Sequence, residues 1–568
     1  MDFKEKYNKW LAYEGLEENL KEDLLSLQGE DDIKMRFDKD LEFGTGGLRG
    51  IMGAGTNNMN IYTVRLASRA LADYLNQNGL SDGVAIAFDC RNNSRLFAME
   101  TAKVLAAAGV KSYIYDTLRP TPQLSFTVRY LGCSAGVVIT ASHNPKEYNG
   151  YKVYGSDGAQ VVFEVADAIK KNMSELDIFT GAPCMDEKEA IEKGLINFIG
   201  EEVDREFQKG ALSLSINPKL IKKADLKLVY SPFNGAGNIP VRRVLSEAGL
   251  KNVYVVPEQE NPDGNFPTLK SPNPENFEGF ALSIELAKKV GADLIIATDP
   301  DSDRVGVATR KPDGEFVNLT GNQTGALLTE YILSQRKEMG TLPQNGYIIK
   351  TIVTNEIAIK IAAFYGVECF DVLTGFKFIA DKIKEHEDKG DKEYIFGFEE
   401  SYGYLCGDYV RDKDAVSASL LIAEMASNYK MRGMTLYDGL MELCEKYGNF
   451  GEWVDNIYFE GADGMEKMSA MMESIRGNVP KSLGESTVVT FTDILKNKKI
   501  NMLTGEETQA NQPSSNVLRF ETQDGSFIAF RPSGTEPKFK IYSGFFSDDL
   551  KGKAEKIKED VEKIMKGK

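Results

Sequence analysis

The chain has 568 residues, and at roughly 150 residues per domain this points to about four domains rather than one core. Hydrophobic residues at 42% and charged residues at 27% are ordinary for a folded protein, which excludes a disordered, collagenous or low-complexity chain. The 68 basic against 85 acidic residues give a formal net charge of −17, which opposes non-specific binding to nucleic acid or an anionic membrane, so neither partner is expected. A small anionic substrate is still compatible, because a local cluster of Arg, Lys and backbone N–H groups reverses the field inside one cleft.

Six cysteines (Cys90, Cys133, Cys184, Cys369, Cys406, Cys444) never form a C-x-x-C pair, so neither a zinc knuckle nor a disulfide framework is expected. The first residues lack a basic segment followed by an apolar one, and no run of about 18 apolar residues occurs anywhere. The expectation is a cytoplasmic protein with reduced thiols.

The first forty residues place apolar side chains at helical spacing (Trp10, Leu11, Leu16, Leu20, Leu24, Leu25) and lead into a glycine-rich turn, Gly44-Thr45-Gly46-Gly47. Strand and helix patterns then alternate. Strands are predicted over 84–88, 112–115 and 136–140, with helices over 98–108 and 121–131. The same order returns as strand 228–230, helix 239–248, strand 252–256, helix 280–290 and strand 293–298. Letters match too: Val104-Leu105-x-x-Ala108-Gly109-Val110-Lys111 recurs as Val244-Leu245-x-x-Ala248-Gly249-Leu250-Lys251. A weaker third copy runs through strand 347–353, helix 356–365, strand 368–372, helix 376–383 and strand 394–398. Three tandem α/β units are implied by this repetition. Beyond them, short alternating strands (487–491, 516–521, 526–530, 539–542) and a charged helix from Asp548 define a smaller α+β domain. The expected boundaries are 1–208, 209–320, 321–440 and 441–568.

Ligands of open parallel sheets collect beyond the C-terminal ends of the strands. The loops after the last strand of each repeat are Thr140-Ala141-Ser142-His143-Asn144-Pro145, Asp299-Pro300-Asp301-Ser302-Asp303-Arg304 and Glu399-Glu400-Ser401-Tyr402-Gly403. Equivalent placement in three repeats suggests one shared cleft. The Ser142-His143 neighbours invite a hydrolase reading, but no G-x-S-x-G elbow is present. Adjacent side chains of an extended loop are expected to diverge, and the other histidine, His386, sits in a charged, surface-like stretch. Asp299, Asp301 and Asp303 would repel by about 4 kcal/mol per pair at ~4 Å and a dielectric near ~20, so a hard cation with oxygen ligands, most simply Mg²⁺, is expected there. An EF-hand is excluded because Arg304 and Arg310 stand where that loop needs Gly and Glu. In the last domain Arg531-Pro532-Ser533-Gly534-Thr535 combines a guanidinium, two hydroxyls and a glycine, which suits a phosphate monoester. Arg49, Lys152 and Lys377, the last just after Thr374-Gly375, add further cations.

Taken together, the four motifs in this order resemble the α-D-phosphohexomutases over nearly the whole chain, and within them the glucose-type branch, including its bacterial members related to phosphopentomutases. The resemblance implies three similar α/β domains and a smaller fourth one around a central cleft. It implies Ser142 as a phosphoserine whose phosphate joins Asp299, Asp301 and Asp303 around one Mg²⁺. Glu399 and Ser401 would hold sugar hydroxyls. Arg531, Ser533, Gly534 and Thr535 would hold the phosphate that stays, and Thr374, Gly375 and Lys377 would also face the substrate. Arg49, Lys152 and Arg304 would surround the transferring group, with Lys152 as general acid/base. The implied reaction interconverts glucose 1-phosphate and glucose 6-phosphate through glucose 1,6-bisphosphate, which is also the activator. The implied assembly is a monomer or weak homo-oligomer. One departure is that Gly403 stands where mannose-type relatives carry His in G-E-M-S-G-H. A phosphopentomutase, a sugar-bisphosphate synthase, an Asp299-dependent phosphatase and a silent sugar-phosphate sensor remain as alternatives.

Overall fold

A computed structural model describes residues 2–44, 46–459, 464–533 and 538–565. The chain divides into two compact units, one of residues 1–320 and 401–435, the other of 321–400 and 436–568.

In the first unit, helices Phe3–Leu11, Glu18–Leu25 and Glu30–Phe37 precede a sheet that has six strands among the described residues. Its order is Gly47–Ile51, Tyr148–Gly155, Ala135–Ile139, Val84–Phe88, Ser112–Tyr115, Ile196–Ile199. The last four of these run parallel, and every residue of 84–88 and 135–139 is buried, as expected of strands covered on both faces. The strand Tyr148–Gly155, absent from the sequence expectation, runs antiparallel beside Ala135–Ile139 and sets Lys152 opposite Val138. The sheets are therefore mixed.

A second sheet of this unit has the order Phe316–Leu319, Val305–Arg310, Leu294–Thr298, Lys227–Ser231, Asn252–Val255. The repeated V-L-x-x-A-G letters end two equivalent helices, Ser94–Ala107 and Asn238–Ala248. In each the glycine takes a left-handed backbone, Gly109 at φ +77° and Gly249 at φ +100°, so the repeat records a helix stop that only glycine makes without strain.

In the second unit, Glu368–Val372, Gly346–Thr351 and Glu393–Glu399 lie side by side in that order, all parallel. The C-terminal part is an antiparallel sheet in which Phe450–Tyr458, Lys538–Phe546, Phe527–Pro532, Leu518–Thr522 and Ser486–Asp493 are successive neighbours. Helices Gly464–Gly477 and Leu550–Met565 bury Met468, Met472, Ile557 and Val561 against its Phe491, Phe520 and Phe530. This is the expected change to α+β grammar. No helix among the described residues is long and apolar enough to cross a membrane.

Candidate functional site

The strand Ala135–Ile139 runs out into Thr140, Ala141 and Ser142 at the C-terminal edge of its sheet. Ser142 has φ +52°, a left-handed conformation that costs a non-glycine residue about 1–3 kcal/mol and persists only where the surroundings impose it. Its N–H donates to Thr140 Oγ1 (2.8 Å), and its hydroxyl donates to Asp299 Oδ2 (2.8 Å). His143 Nδ1 lies 3.1 Å from the same hydroxyl oxygen. The expectation that these neighbours diverge is thereby corrected: it assumed an extended loop, and the positive φ turns the serine back onto the imidazole. Burial, and next the Arg304 cation, hold the His143 pKa well below the usual histidine range, so its ring is neutral.

The strand Leu294–Thr298 ends in the same manner at Asp299. Asp299, Asp301 and Asp303 are 0%, 0% and 1% exposed, and one oxygen from each lies within 4.8 Å of the others. Ser302, at φ +52°, reverses the chain so that Asp299 Oδ1 accepts the N–H groups of Asp303 (3.1 Å) and Arg304 (3.0 Å). Lys152 Nζ stands 3.0 Å from Asp301 and 3.6 Å from Asp303, and Lys413 Nζ 2.9 Å from Asp303. Thr121 donates both its hydroxyl (2.8 Å) and its N–H (2.8 Å) to Asp301.

Lys152, Lys413 and, more distantly, Arg304 (Nε 3.9 Å from Asp303) face the three carboxylates, but Lys413 is shared with Asp412 and Arg304 with Glu275. Burial, and then the neighbouring Asp301 carboxylate, push the pKa values of Asp299 and Asp303 upward. At Asp301 burial acts in the same sense, but Lys152, Asp299 and Thr121 together override it and hold its pKa down. Asp301 Oδ1 is buried with no hydrogen-bond partner. Three buried hard oxygen donors, an orphaned carboxylate oxygen and an adjacent serine hydroxyl fit a Mg²⁺-type cation. Burial alone would lower the Lys152 pKa; Asp301 and Asp303 outweigh it and raise it, so this side chain is an ammonium. Arg304 pairs through Nη1 with Glu275 (2.8 Å). Arg49 is exposed on the edge strand opposite Gly150 and, with Arg304 and Lys152, contributes to the depressed His143 pKa. Ser401 belongs to the first unit and is half-buried.

The other expected residues lie in the second unit. Glu399, buried at the end of its strand, accepts the N–H of Gly375 (2.8 Å). Gly375, at φ +119°, opens the helix Phe376–Lys389, and Thr374 Oγ1 beside it is buried without a hydrogen-bond partner. Burial, and then the Arg531 cation, lower the Lys377 pKa to about 8. Arg531 ends the strand Phe527–Pro532 opposite Lys540, and Ser533 N–H donates to Lys538 O (2.7 Å). Gly534 and Thr535 lie outside the described residues. His386 is not on the surface: it is 4% exposed, stacked on Phe370 at 5.1 Å, with Nδ1 2.7 Å from Asp391. It occupies the apolar face of an amphipathic helix, in line with Ile379 and Ile383, and that spacing was the available signal.

Lys413 and Thr121 were missed. Lys413 comes from an Arg-Asp-Lys-Asp run ahead of the helix Ala415–Met431, and Thr121 is the first residue of the helix after Pro120; neither carries a motif.

Ser142 thus faces a buried carboxylate triad that could hold a metal ion, each at the C-terminal end of a strand in a mixed sheet. Three family models match in succession, the Phosphoglucomutase/phosphomannomutase alpha/beta/alpha domains I (residues 40–178), II (206–314) and III (320–447). The phosphoglucomutase of Staphylococcus saprophyticus is 37% identical over 534 residues, spanning 94% of this chain and 96% of that one. The phosphoglucomutase of Staphylococcus aureus strain USA300 is 37% identical over 533 residues, 93% and 94% of the two chains. Among solved structures, a phosphoglucomutase/phosphomannomutase family protein of Burkholderia thailandensis matches with a TM-score of 0.68 at 20% identity, covering 93% of this chain and 97% of that one. Parafusin of Paramecium matches with a TM-score of 0.69 at 16% identity, covering 93% and 95%. The chain belongs to the α-D-phosphohexomutase family.

Proposed function

We propose that this protein is a phosphoglucomutase that interconverts α-D-glucose 1-phosphate and glucose 6-phosphate through a phosphoserine at Ser142 and a bound glucose 1,6-bisphosphate. The observation that carries this is the Ser142 hydroxyl, 2.8 Å from Asp299 within a buried carboxylate triad in which Asp301 Oδ1 has no hydrogen-bond partner. The names of the relatives support glucose as the sugar.

Mg²⁺ held by Asp299, Asp301, Asp303 and the Ser142 oxygen would offset the charge on the transferring phosphoryl oxygens. Arg49, Arg304 and Lys152 supply the remaining positive charge around that group. The sugar hydroxyl attacks phosphorus on Ser142; a P–O bond to the sugar forms as the P–O bond to serine breaks, the serine oxygen takes a proton from Lys152, and Lys152 regains the proton that the attacking hydroxyl gives up. Lys152, an ammonium as it stands, is thus both proton donor and proton acceptor in this half of the cycle. Glu399 and Ser401 hold ring hydroxyls. Thr374, Gly375, Lys377, Arg531, Ser533, Gly534 and Thr535 receive the phosphate that is not moving. The bisphosphate then turns over and returns its other phosphate to Ser142.

With this goes the division into domains at 1–208, 209–320, 321–440 and 441–568, a cytoplasmic monomer or weak homo-oligomer, and glucose 1,6-bisphosphate as activator. An Asp299 nucleophile is disfavoured because one of its oxygens already accepts the Ser142 hydroxyl and the other two backbone N–H groups. Purified protein with Mg²⁺ should isomerise glucose 1-phosphate, with stimulation by glucose 1,6-bisphosphate and no net release of inorganic phosphate. Phosphate release without isomerisation, or a preference for ribose 1-phosphate in the same assay, would overturn the proposal.

A further inference from the structure

Behind the serine loop lies a buried ion pair with no part in the chemistry above. Asp89 and Arg91, just past the strand Val84–Phe88, are 2% and 3% exposed, with Arg91 Nε 3.3 Å from Asp89 Oδ2. The guanidinium donates to four backbone carbonyls of one loop. Nη2 reaches those of Ser142 and Asn144, and Nη1 those of Pro145 (2.8 Å) and Tyr148 (3.1 Å). These two nitrogens carry four N–H groups in all, so each has one carbonyl. The Phe266 ring, with its centroid 5.2 Å away, covers the guanidinium.

Asp89 fixes the arrangement from the other side. Its Oδ1 accepts the Arg91 N–H (2.9 Å) and the Ser94 hydroxyl (2.7 Å), and its Oδ2 accepts the Thr140 hydroxyl (2.6 Å). Thr140 Oγ1 in turn accepts the Ser142 N–H (2.8 Å). Both backbone groups of Ser142, the residue in the left-handed conformation, therefore end on this one buried pair: the carbonyl on Arg91 directly, the N–H on Asp89 through Thr140.

We infer that Arg91, oriented by Asp89, is a positioning residue for phosphoryl transfer, holding residues 142–148 so that Ser142 Oγ faces Asp299. The inference rests on the phosphoserine reading of Ser142. Convergence of four carbonyls on one side chain gives the loop a single conformation, where the segment between Ile139 and Tyr148 has no strand or helix to define it. Lysine keeps the charge but offers three N–H groups from a single point, and a point cannot replace a fork that spans four acceptors.

The test uses the full chain with Mg²⁺, glucose 1-phosphate and glucose 1,6-bisphosphate. Arg91→Lys should lower kcat by roughly 10- to 100-fold, the scale set by a reacting atom displaced by about 1 Å, while KM stays within about threefold. Thr140→Val, nearly isosteric, removes the acceptor of the Ser142 N–H and should lower kcat by a few-fold, again without a KM change. A general loss of stability would lower the amount of folded enzyme, not the kcat of the folded fraction normalised to phosphate bound at Ser142. If the native chain isomerises and carries phosphate on Ser142 but Arg91→Lys keeps its kcat within about threefold, or loses only KM, the positioning role is wrong and the proposed function stands. Should Arg91→Lys fail to fold, an unchanged kcat in Thr140→Val overturns the role. A native chain that takes no phosphate at Ser142 overturns the phosphoserine reading itself.

Discussion

In the first unit three carboxylates are buried against two lysines, and in the second Lys377 and Arg531, two cations, are close enough for one to lower the pKa of the other. In the carboxylate cluster Asp299 accepts two backbone N–H groups and Asp301 the Thr121 hydroxyl, while Asp301 Oδ1 has no hydrogen-bond partner, and the chain reverses at two non-glycine residues with positive φ. In the cation pair Arg531 is half-buried near a strand end and Lys377 follows the Gly375 that opens its helix. Under the proposed function these opposite charge environments serve opposite ligands. A buried excess of carboxylate is relieved by a divalent cation, and a pair of cations is relieved by a phosphate dianion. Under the proposed division of labour, chemistry at Ser142 needs sub-ångström placement whereas an anchor needs mainly charge.

Substitutions separate the two regions. The largest effect is expected from Ser142→Ala, which should lose isomerisation by several orders of magnitude, measured as steady-state turnover, because the acceptor of the phosphoryl group is gone. Asp301→Asn should lower turnover by more than the roughly 10- to 100-fold that outer-shell partners of a metal command. It should also abolish the rise in melting temperature that millimolar Mg²⁺ gives the native chain, a readout independent of activity. A variant that still melts higher with Mg²⁺ would take Asp301 out of the metal site.

Arg531→Ala acts on the other region. Loss of a charge-assisted contact worth about 1.5–3 kcal/mol should raise KM by roughly 10- to 150-fold while leaving hydrolysis of the phosphoserine nearly unchanged. Equal losses in both would place Arg531 at the transferring group and erase the contrast between the regions.

The smallest effect concerns pH. Lys377 has a pKa lowered to about 8, so its charge is present below that value and is lost as pH rises through it. A bound phosphate dianion stabilises the ammonium, so KM should rise a few-fold between about pH 7 and about pH 9, and Lys377→Met should flatten that limb. An identical pH profile in the variant would remove Lys377 from the anchor.

Much of this was legible in the sequence because it is local. Apolar runs such as 84–88 and 294–298 are buried strands, and chemistry collects just beyond the C-terminal ends of parallel strands, so the Ser142 and Asp299 loops could be read directly. The strand Tyr148–Gly155 escaped because its Asn149-Gly150 step reads as a turn; pairing with Ala135–Ile139 overrides that signal. Lys413, Thr121 and Arg91 escaped for another reason. Their partners are distant in sequence, as with Thr121 and Asp301, 180 residues apart, and no spacing rule reaches across such a gap. His386 was misplaced because charged neighbours hid an apolar helix face.

The central claim is that Ser142 carries the phosphate that the carboxylate cluster exists to handle. Peptide mapping by mass spectrometry, after the native protein has been incubated with Mg²⁺ and glucose 1,6-bisphosphate, tests it most directly. The account predicts one phosphate, on Ser142, that is discharged when glucose 1-phosphate or glucose 6-phosphate is added. A phosphate on Asp299 or on any other residue, or one on Ser142 that neither sugar phosphate removes, would contradict it.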